Sequence, residues 1–280
     1  TLPILCGSPV SASFLNVDCY RISNIGRIVE SDIKTQLILI EATLLEMNVT
    51  ISDQDSTLRT ETSHTVEYED YDSTSGSYDD TRVPVGLSII CDYLESTPTA
   101  LSEQTVLDAG CGTGSCLAEL RGKIGKLHGR ELNAGMQQVA KKRFADDPSV
   151  QIEQGSITEL PFADETFDGI ICNQVLHHLD PGTIGDADSA DFPNVRLFFR
   201  EAFRVLRPKG VLLVNTSSHQ QHRDGFWWAA LIPVAIDRML PRFPSIDRFE
   251  KIFQQTGFVG FETAVPIDEV LQGEQYLNPA

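Results

Sequence analysis

Residues 105–114, Thr-Val-Leu-Asp-Ala-Gly-Cys-Gly-Thr-Gly, constrain the fold of this chain more than any other stretch. The first five are apolar and partly β-branched, which predicts a buried strand. Gly110, Gly112 and Gly114 follow at alternate positions, and glycine permits positive φ and close approach of a ligand to the backbone. Apolar residues at helical spacing come next. The order strand, glycine turn, helix predicts an α/β sheet that binds a nucleotide-like ligand at this turn.

The spacing and charge of the turn narrow its ligand. The glycines follow G-x-G-x-G, not the G-x-G-x-x-G of dinucleotide-binding turns. Asp108 precedes them, and its carboxylate would repel a pyrophosphate but suits a ligand with hydroxyls and a positive charge. Here the sequence resembles the class I S-adenosylmethionine-dependent methyltransferases, whose first motif is a hydrophobic residue followed by L-D-x-G-x-G-x-G. The resemblance implies S-adenosylmethionine as cofactor, bound by Asp108, Gly110, Cys111, Gly112, Thr113 and Gly114.

Later segments extend the resemblance, in particular to the type 11 family of small-molecule methyltransferases. Glu131 ends the second predicted strand, 23 residues after Asp108, where an acidic side chain can bind both ribose hydroxyls. Residues 167–179, with F-D and H-H-L, and residues 204–210, R-V-L-R-P-K-G, also follow the family pattern. Ser156 departs from it, because the family usually has aspartate at the adenine contact. The further cofactor contacts that the resemblance implies are Leu132, Gly155, Ser156, Ile157, Asn173 and Gln174.

The predicted fold is a Rossmann-like, doubly wound, mostly parallel sheet of the class I methyltransferase type. Apolar runs predict strands at 105–109, 126–132, 149–157, 167–173, 211–215 and 258–266. A helix over 195–206 is expected to end at Gly210. The resembled fold closes with a seventh, antiparallel strand, and no β pattern follows Pro266. We therefore expect a chain truncated at its C-terminus that lacks this strand, unless residues 33–45 fill the gap.

Two domains are expected, an N-terminal extension of uncertain structure over 1–65 and the methyltransferase domain over 66–280. The tyrosine-rich residues from Tyr68 onward precede the fold, and residues 71–82 are interpreted as a lid. Aromatic faces such as that of Tyr78 favour a sulfonium cation, and Arg82 could hold the methionyl carboxylate by a forked pair. The alternative is that these tyrosines only anchor a flexible segment.

The methyl acceptor is expected beneath residues 219–240, together with the lid. This segment holds Trp227 and Trp228, which could instead belong to the core. His177, His178 and His219 are weak candidates for a general base, and packing of a histidine in the turn is the favoured alternative for the pair. No metal site is expected, because adjacent histidines diverge and a third ligand is not evident. The expected reaction is a direct displacement, in which the acceptor attacks the methyl group on the cofactor's sulfonium. Such a reaction requires no obligate catalytic residue.

The amino-acid composition limits the kinds of partner that this chain is expected to bind. The net charge of −18 argues against nucleic acid, which needs a basic patch. Six irregularly spaced cysteines predict free thiols in a reducing compartment. No apolar run reaches transmembrane length, and the N-terminus lacks the pattern of a secretory signal. We expect a cytoplasmic enzyme with a small-molecule acceptor and no membrane partner. The alternatives are a transfer-RNA or protein methyltransferase, or a non-catalytic binding module with the cofactor fold.

Overall fold

The structure, a computed structural model, describes residues 10–16, 84–180, 191–224, 229 and 233–265. Their strands are β1 Val10–Asn16, β2 Thr105–Ala109, β3 Lys126–Glu131, β4 Val150–Gln154, β5 Phe167–Asn173, β6 Leu206–Thr216 and β7 Val259–Ala264. Their α-helices are α1 Leu87–Glu95, α2 Ser115–Leu120, α3 Ala134–Arg143, α4 Pro193–Val205, α5 His219–Asp224, α6 Pro233–Met239 and α7 Ile246–Thr256. None of these helices combines the length and the apolar composition needed to cross a membrane.

The seven strands form one sheet in the order β4-β3-β2-β5-β6-β1-β7. Every described pair of neighbours is parallel. This confirms the predicted doubly wound α/β fold. The chain passes from β2 outward to β3 and β4 and then returns to β5 on the other side of β2. This reversal opens a crevice at the carboxyl ends of β2 and β5, the usual ligand position in such sheets.

Strand β1 occupies the position between β6 and β7 that the sequence left to a missing strand. It pairs with both neighbours and is parallel to both, whereas the resembled fold has an antiparallel strand there. Sequence reasoning found no motif in this stretch, since seven residues with two serines carry little signal. The alternative gap-filling segment, 33–45, lies outside the described residues. The division into domains at residue 65 stays a prediction.

The helix predicted over 195–206 is present as α4, but the prediction that Gly210 caps it is wrong. Helix α4 ends at Val205 and strand β6 begins at Leu206, with an irregularity at Lys209, which has φ +68°. Arg207 donates to Asp168 at 2.5 Å, which ties the start of β6 to β5. A Cβ atom at Gly210 would lie 2.9 Å from the carbonyl oxygen of Asp168. The glycine therefore permits close approach of two strands rather than a helix cap.

Helices cover both faces of the sheet with different side chains. One face packs against phenylalanines of α4 and α7, and Phe199 stacks on Phe253 with 4.6 Å between ring centroids. The other face packs mainly against aliphatic residues of α1 and α2, including Ile90 and Leu117. Each fully buried side chain of this kind contributes about 1.5–3 kcal/mol. The two layers hold the strand ends, and hence the crevice, in fixed positions.

Candidate cofactor and acceptor site

The glycine turn is shaped by its neighbours. Its glycines have φ of +82°, +54° and +82°, the left-handed region that favours glycine. A Cβ atom at Gly110 would lie 2.5 Å from Val175 Cγ2, and one at Gly114 would lie 2.7 Å from Phe144 Cε2. A Cβ atom at Gly112 would meet nothing within 4 Å. Two glycines are thus required by packing, and Gly112 faces the open space where a ligand could lie.

Hydrogen bonds fold the turn towards β3. The backbone N–H groups of Gly110 and Cys111 donate to the carbonyl oxygen of Arg130 at 2.7 and 3.1 Å. The N–H of Gly114 donates to the carbonyl oxygen of Cys111 at 2.8 Å and closes the turn. The Thr113 hydroxyl, nearly inaccessible, lies 3.2 Å from that of Ser115. The turn and the end of β3 form one unit.

Two carboxyl groups lie at this unit. Asp108 is 1% exposed, and neither carboxyl oxygen has a hydrogen-bond partner among the described residues. Burial, and then the charge of Glu131, raises the pKa of Asp108 to about 7. Glu131 accepts from the N–H of Gly112 at 2.9 Å and from that of Asn133 at 2.7 Å. Burial raises the pKa of Glu131 against these bonds, and its oxygens keep further acceptor capacity.

The corner after β4 joins the same unit. The N–H of Gly155 donates to the carbonyl oxygen of Glu131 at 2.8 Å. The hydroxyl of Ser156 lies 2.7 Å from that of Thr158 and accepts from the Thr158 N–H at 3.1 Å, so it is held within its own turn. Leu132 is 68% exposed beside this corner, and Ile157 is buried. The structure thus brings three of the sequence-predicted segments together.

An amide cluster lies at the ends of β5 and β6. Gln174 Nε2 donates to Asn215 Oδ1 at 3.0 Å. Asn215 Nδ2 and Asn173 Nδ2 both reach the carbonyl oxygen of Val85, at 3.1 and 3.4 Å. Gln174 has φ +57°, which is uncommon outside glycine. The sequence analysis did not single out Asn215, although a polar residue at the end of an apolar strand was a usable signal. It did not single out Val85 either, because a backbone carbonyl group leaves no signal in the sequence.

Three histidines converge on Phe243, a residue that sequence reasoning did not single out. His177 stacks on its ring with 5.0 Å between centroids and 18° between planes, and His222 lies 4.3 Å away. His219 Nε2 lies 2.6 Å from the Phe243 carbonyl oxygen, so this nitrogen carries the proton and donates. His178 lies 4.0 Å from His177. Burial, and then His219, lowers the pKa of His222 to about 4, so its ring is neutral near pH 7.

Several predicted residues lie outside the described part of the chain. These are Tyr78 and Arg82 of the lid, and Trp227 and Trp228 of the roof. No group of three His, Cys, Asp or Glu that could hold a metal occurs among the described residues. The described cysteines, Cys91, Cys111, Cys116 and Cys172, are free thiols.

A family model described as "Methyltransferase domain" matches residues 107–214. A demethylmenaquinone methyltransferase of Symbiobacterium thermophilum is 26% identical over 183 residues, which cover 55% of this chain and 68% of that protein. An uncharacterised methyltransferase of Mycobacterium tuberculosis is 29% identical over 145 residues, 51% of this chain and 66% of that protein. The solved phosphoethanolamine N-methyltransferase 2 of Haemonchus contortus is 19% identical with a TM-score of 0.49, over 70% of this chain and 43% of that one.

The matched residues run from within β2 to within β6 and include the glycine turn, Glu131 and the ends of β5. Fold and turn define a protein of the Rossmann-like, cofactor-binding class. With the family match, residues 107–214 are a methyltransferase domain of the class I, S-adenosylmethionine-dependent type, and S-adenosylmethionine is its cofactor.

Proposed function

We propose that the crevice binds S-adenosylmethionine against the carboxyl ends of β2, β3 and β4 and transfers its methyl group to a small-molecule acceptor. One observation carries the proposal: Gly112 is open to ligand space and its N–H is held by Glu131, while the buried carboxyl of Asp108, just before the turn, has no partner among the described residues. When bound, S-adenosylmethionine supplies an electrophilic methyl group on a sulfonium. The chain's own contribution is therefore to bind, to align and to exclude water.

The residues at the crevice fit this cofactor. Glu131 has acceptor capacity for two ribose hydroxyls. Asp108 offers an uncompensated carboxyl to a cation, and the open backbone at Gly112 admits close approach. Leu132 presents an exposed apolar side chain beside the 155–157 corner, as an adenine ring requires. Because the Ser156 hydroxyl is held by Thr158, we assign the corner a contact through shape rather than through that hydroxyl.

The acceptor is proposed to lie towards β5 and β6. The histidines around Phe243 and the amides of Asn173 and Gln174 give this side aromatic faces with a few polar groups, the usual make-up of a small-molecule pocket. Residues 219–240 and the lid over 71–82 are proposed to roof it. A net charge of −18 supports a small acceptor over transfer RNA. The name of the Symbiobacterium relative, a demethylmenaquinone methyltransferase, supports a small acceptor as well.

Methyl transfer from labelled S-adenosylmethionine to a metabolite extract tests the proposal with the full chain. Label in the small-molecule fraction is the expected result. Gly112→Val protein serves as the matched inactive control. Label in transfer RNA or protein would overturn the acceptor class. Cofactor binding without transfer to any fraction would favour a non-catalytic binding module, and no binding would overturn the site.

A further inference from the structure

We infer that Asp108 is protonated before the cofactor binds and releases its proton on binding, so that the site prefers the positively charged donor over the product. The inference rests on the proposed cofactor site. It goes beyond that site because it assigns a proton to the binding equilibrium and makes Asp108 a residue that determines charge specificity.

Among the described residues, no hydrogen bond compensates the burial of the Asp108 carboxyl group. The Asp108 side chain is 1% exposed, and both of its oxygens lack a hydrogen-bond partner within the described residues. An ionised carboxylate in that position has given up its hydration and received nothing in return. The neutral acid avoids most of this penalty, so the proton is the partner that the side chain holds in the free protein.

The groups that act on the charge of Asp108 are acidic or neutral. The charged group that acts on it is another carboxyl, Glu131, from β3. Cys111 in the turn, Cys116 in α2 and Cys172 in β5 are buried thiols whose pKa values are raised well above the usual value, in part by Asp108 itself. These thiols are therefore neutral. With neutral or acidic neighbours, the pKa of Asp108 rises to about 7.

Asp168 shows how this chain treats a buried aspartate that has a structural purpose. It is 3% exposed, which is comparable with Asp108. Its oxygens accept from Thr99, from the backbone N–H of Thr105 and from Arg207, at 2.8, 2.8 and 2.5 Å. Both carboxyl oxygens of Asp168 thus accept hydrogen bonds from the protein. Among the described residues Asp108 has no such set, which indicates that its partner comes from a ligand.

A cation is the ligand that such a group selects. S-adenosylmethionine carries a sulfonium, an ammonium and a carboxylate, so its net charge is positive. The demethylated product has lost the sulfonium charge and is neutral overall. On binding, the Asp108 O–H bond breaks, the proton leaves to solvent, and the carboxylate remains opposite the bound cation. Affinity for the donor then falls about tenfold for each pH unit below 7 and is flat above it. The dependence is weaker for the product.

Calorimetry of the full chain with S-adenosylmethionine and with S-adenosylhomocysteine measures the exchange. Titrations at pH 6 and pH 8, each in two buffers of different ionisation enthalpy, give the number of protons released. For a group with a pKa near 7, we expect roughly 0.9 proton per donor molecule at pH 6 and roughly 0.1 at pH 8, and fewer for the product. D108N protein should release none. D164N, at an exposed aspartate, is the matched control and should behave as the wild type.

Donor binding without proton release at pH 6 would overturn the inference, as would undiminished release by D108N. Absence of donor binding at every pH would overturn the proposed cofactor site, and the inference with it. Should D108N not fold, carboxyl carbon-13 resonances of aspartate-labelled wild-type protein decide. We expect one with a midpoint near pH 7 that stops titrating when the donor is added. Midpoints that all lie below pH 5 in the free protein would contradict the inference.

Discussion

The two sides of the crevice each contain a buried ionisable group, and the two groups differ in the direction of their pKa shift and in their contacts. On the β2–β3 side, Asp108 has its pKa raised by burial and has no described hydrogen-bond partner. On the β5–β6 side, His222 has its pKa lowered by burial and lies against the ring of Phe243, while His219 is tied to the carbonyl of Phe243. The first side thus leaves a buried carboxyl without a partner among the described residues. The second holds its histidines through contacts with Phe243.

The largest expected effect concerns the open position on the first side. Gly112→Val should abolish measurable cofactor binding, because a branched side chain would enter the ligand space. It also places valine at φ +54°, a strain of about 1–3 kcal/mol. Calorimetric affinity and melting temperature together measure both effects.

Gly122→Val is the matched control for that strain. Gly122 has φ +77°, and a Cβ atom there would also meet nothing within 4 Å. A similar loss of melting temperature with unchanged cofactor affinity is expected. If both variants bound the cofactor as the wild type does, Gly112 would not line the site.

Glu131→Gln should lower cofactor affinity about 10- to 150-fold, equivalent to about 1.5–3 kcal/mol for a hydrogen bond to a charged group. Glutamine keeps one oxygen as acceptor for the backbone N–H groups that Glu131 serves, which limits damage to the fold. Glu153→Gln, at a half-exposed carboxylate on the neighbouring strand, is the control and should bind normally. A Glu131→Gln protein of wild-type affinity would move the ribose contact to another residue.

On the second side, His219→Ala and Trp227→Ala should slow methyl transfer about tenfold through misplaced acceptor, with cofactor affinity and melting temperature nearly unchanged. Single-turnover transfer with an acceptor taken from the labelled extract measures this. If Trp227→Ala instead lowers stability by ~3–5 kcal/mol and His219→Ala changes nothing, residues 219–240 belong to the core and do not roof the acceptor.

The last expected effect is on stability as a function of pH, and its sign differs between the two sides. Asp108, with a raised pKa, stabilises the fold at low pH, and this contribution is lost as pH rises from about 4 to about 7. His222, with a lowered pKa, stabilises the fold above about 6.5, and this contribution is lost as pH falls towards about 4. Each contribution changes by about 1.4 kcal/mol per pH unit at most.

Denaturation of Asp108→Asn and His222→Gln proteins between pH 4 and pH 8 separates the two contributions. Relative to the wild type, the first variant should gain stability as pH rises and the second should gain it as pH falls. Differences from the wild type that do not vary with pH would show that neither group titrates as the structure indicates.

The sequence predicted the first side of the crevice better than the second, for a physical reason. Strands β2 and β3 and the glycine turn follow from local pattern and backbone geometry. Phe243 and Val85 contribute through a ring and a carbonyl brought in from distant parts of the chain, and no local pattern marks them. Strand β1 was missed for the same reason, since only its neighbours in the sheet define it. Which residues bind the cofactor stays a prediction.

The position of β1 has a consequence for how the chain acquires its fold during synthesis. Val10 pairs with Gly210, and Leu15 pairs with Asn215 and Ala264, so the strand meets the first of its two partners only after some 200 further residues have been made. At about 5–20 residues per second, that interval lasts roughly 10–40 s. During that interval both edges of β1 lack their partners in the sheet, and unpaired strand edges can pair with other chains. Such long-range pairing is also slow on entropic grounds. The sheet is therefore completed at β1 only after β6 and β7 have been made, which ties this part of the fold to residues far apart in the chain.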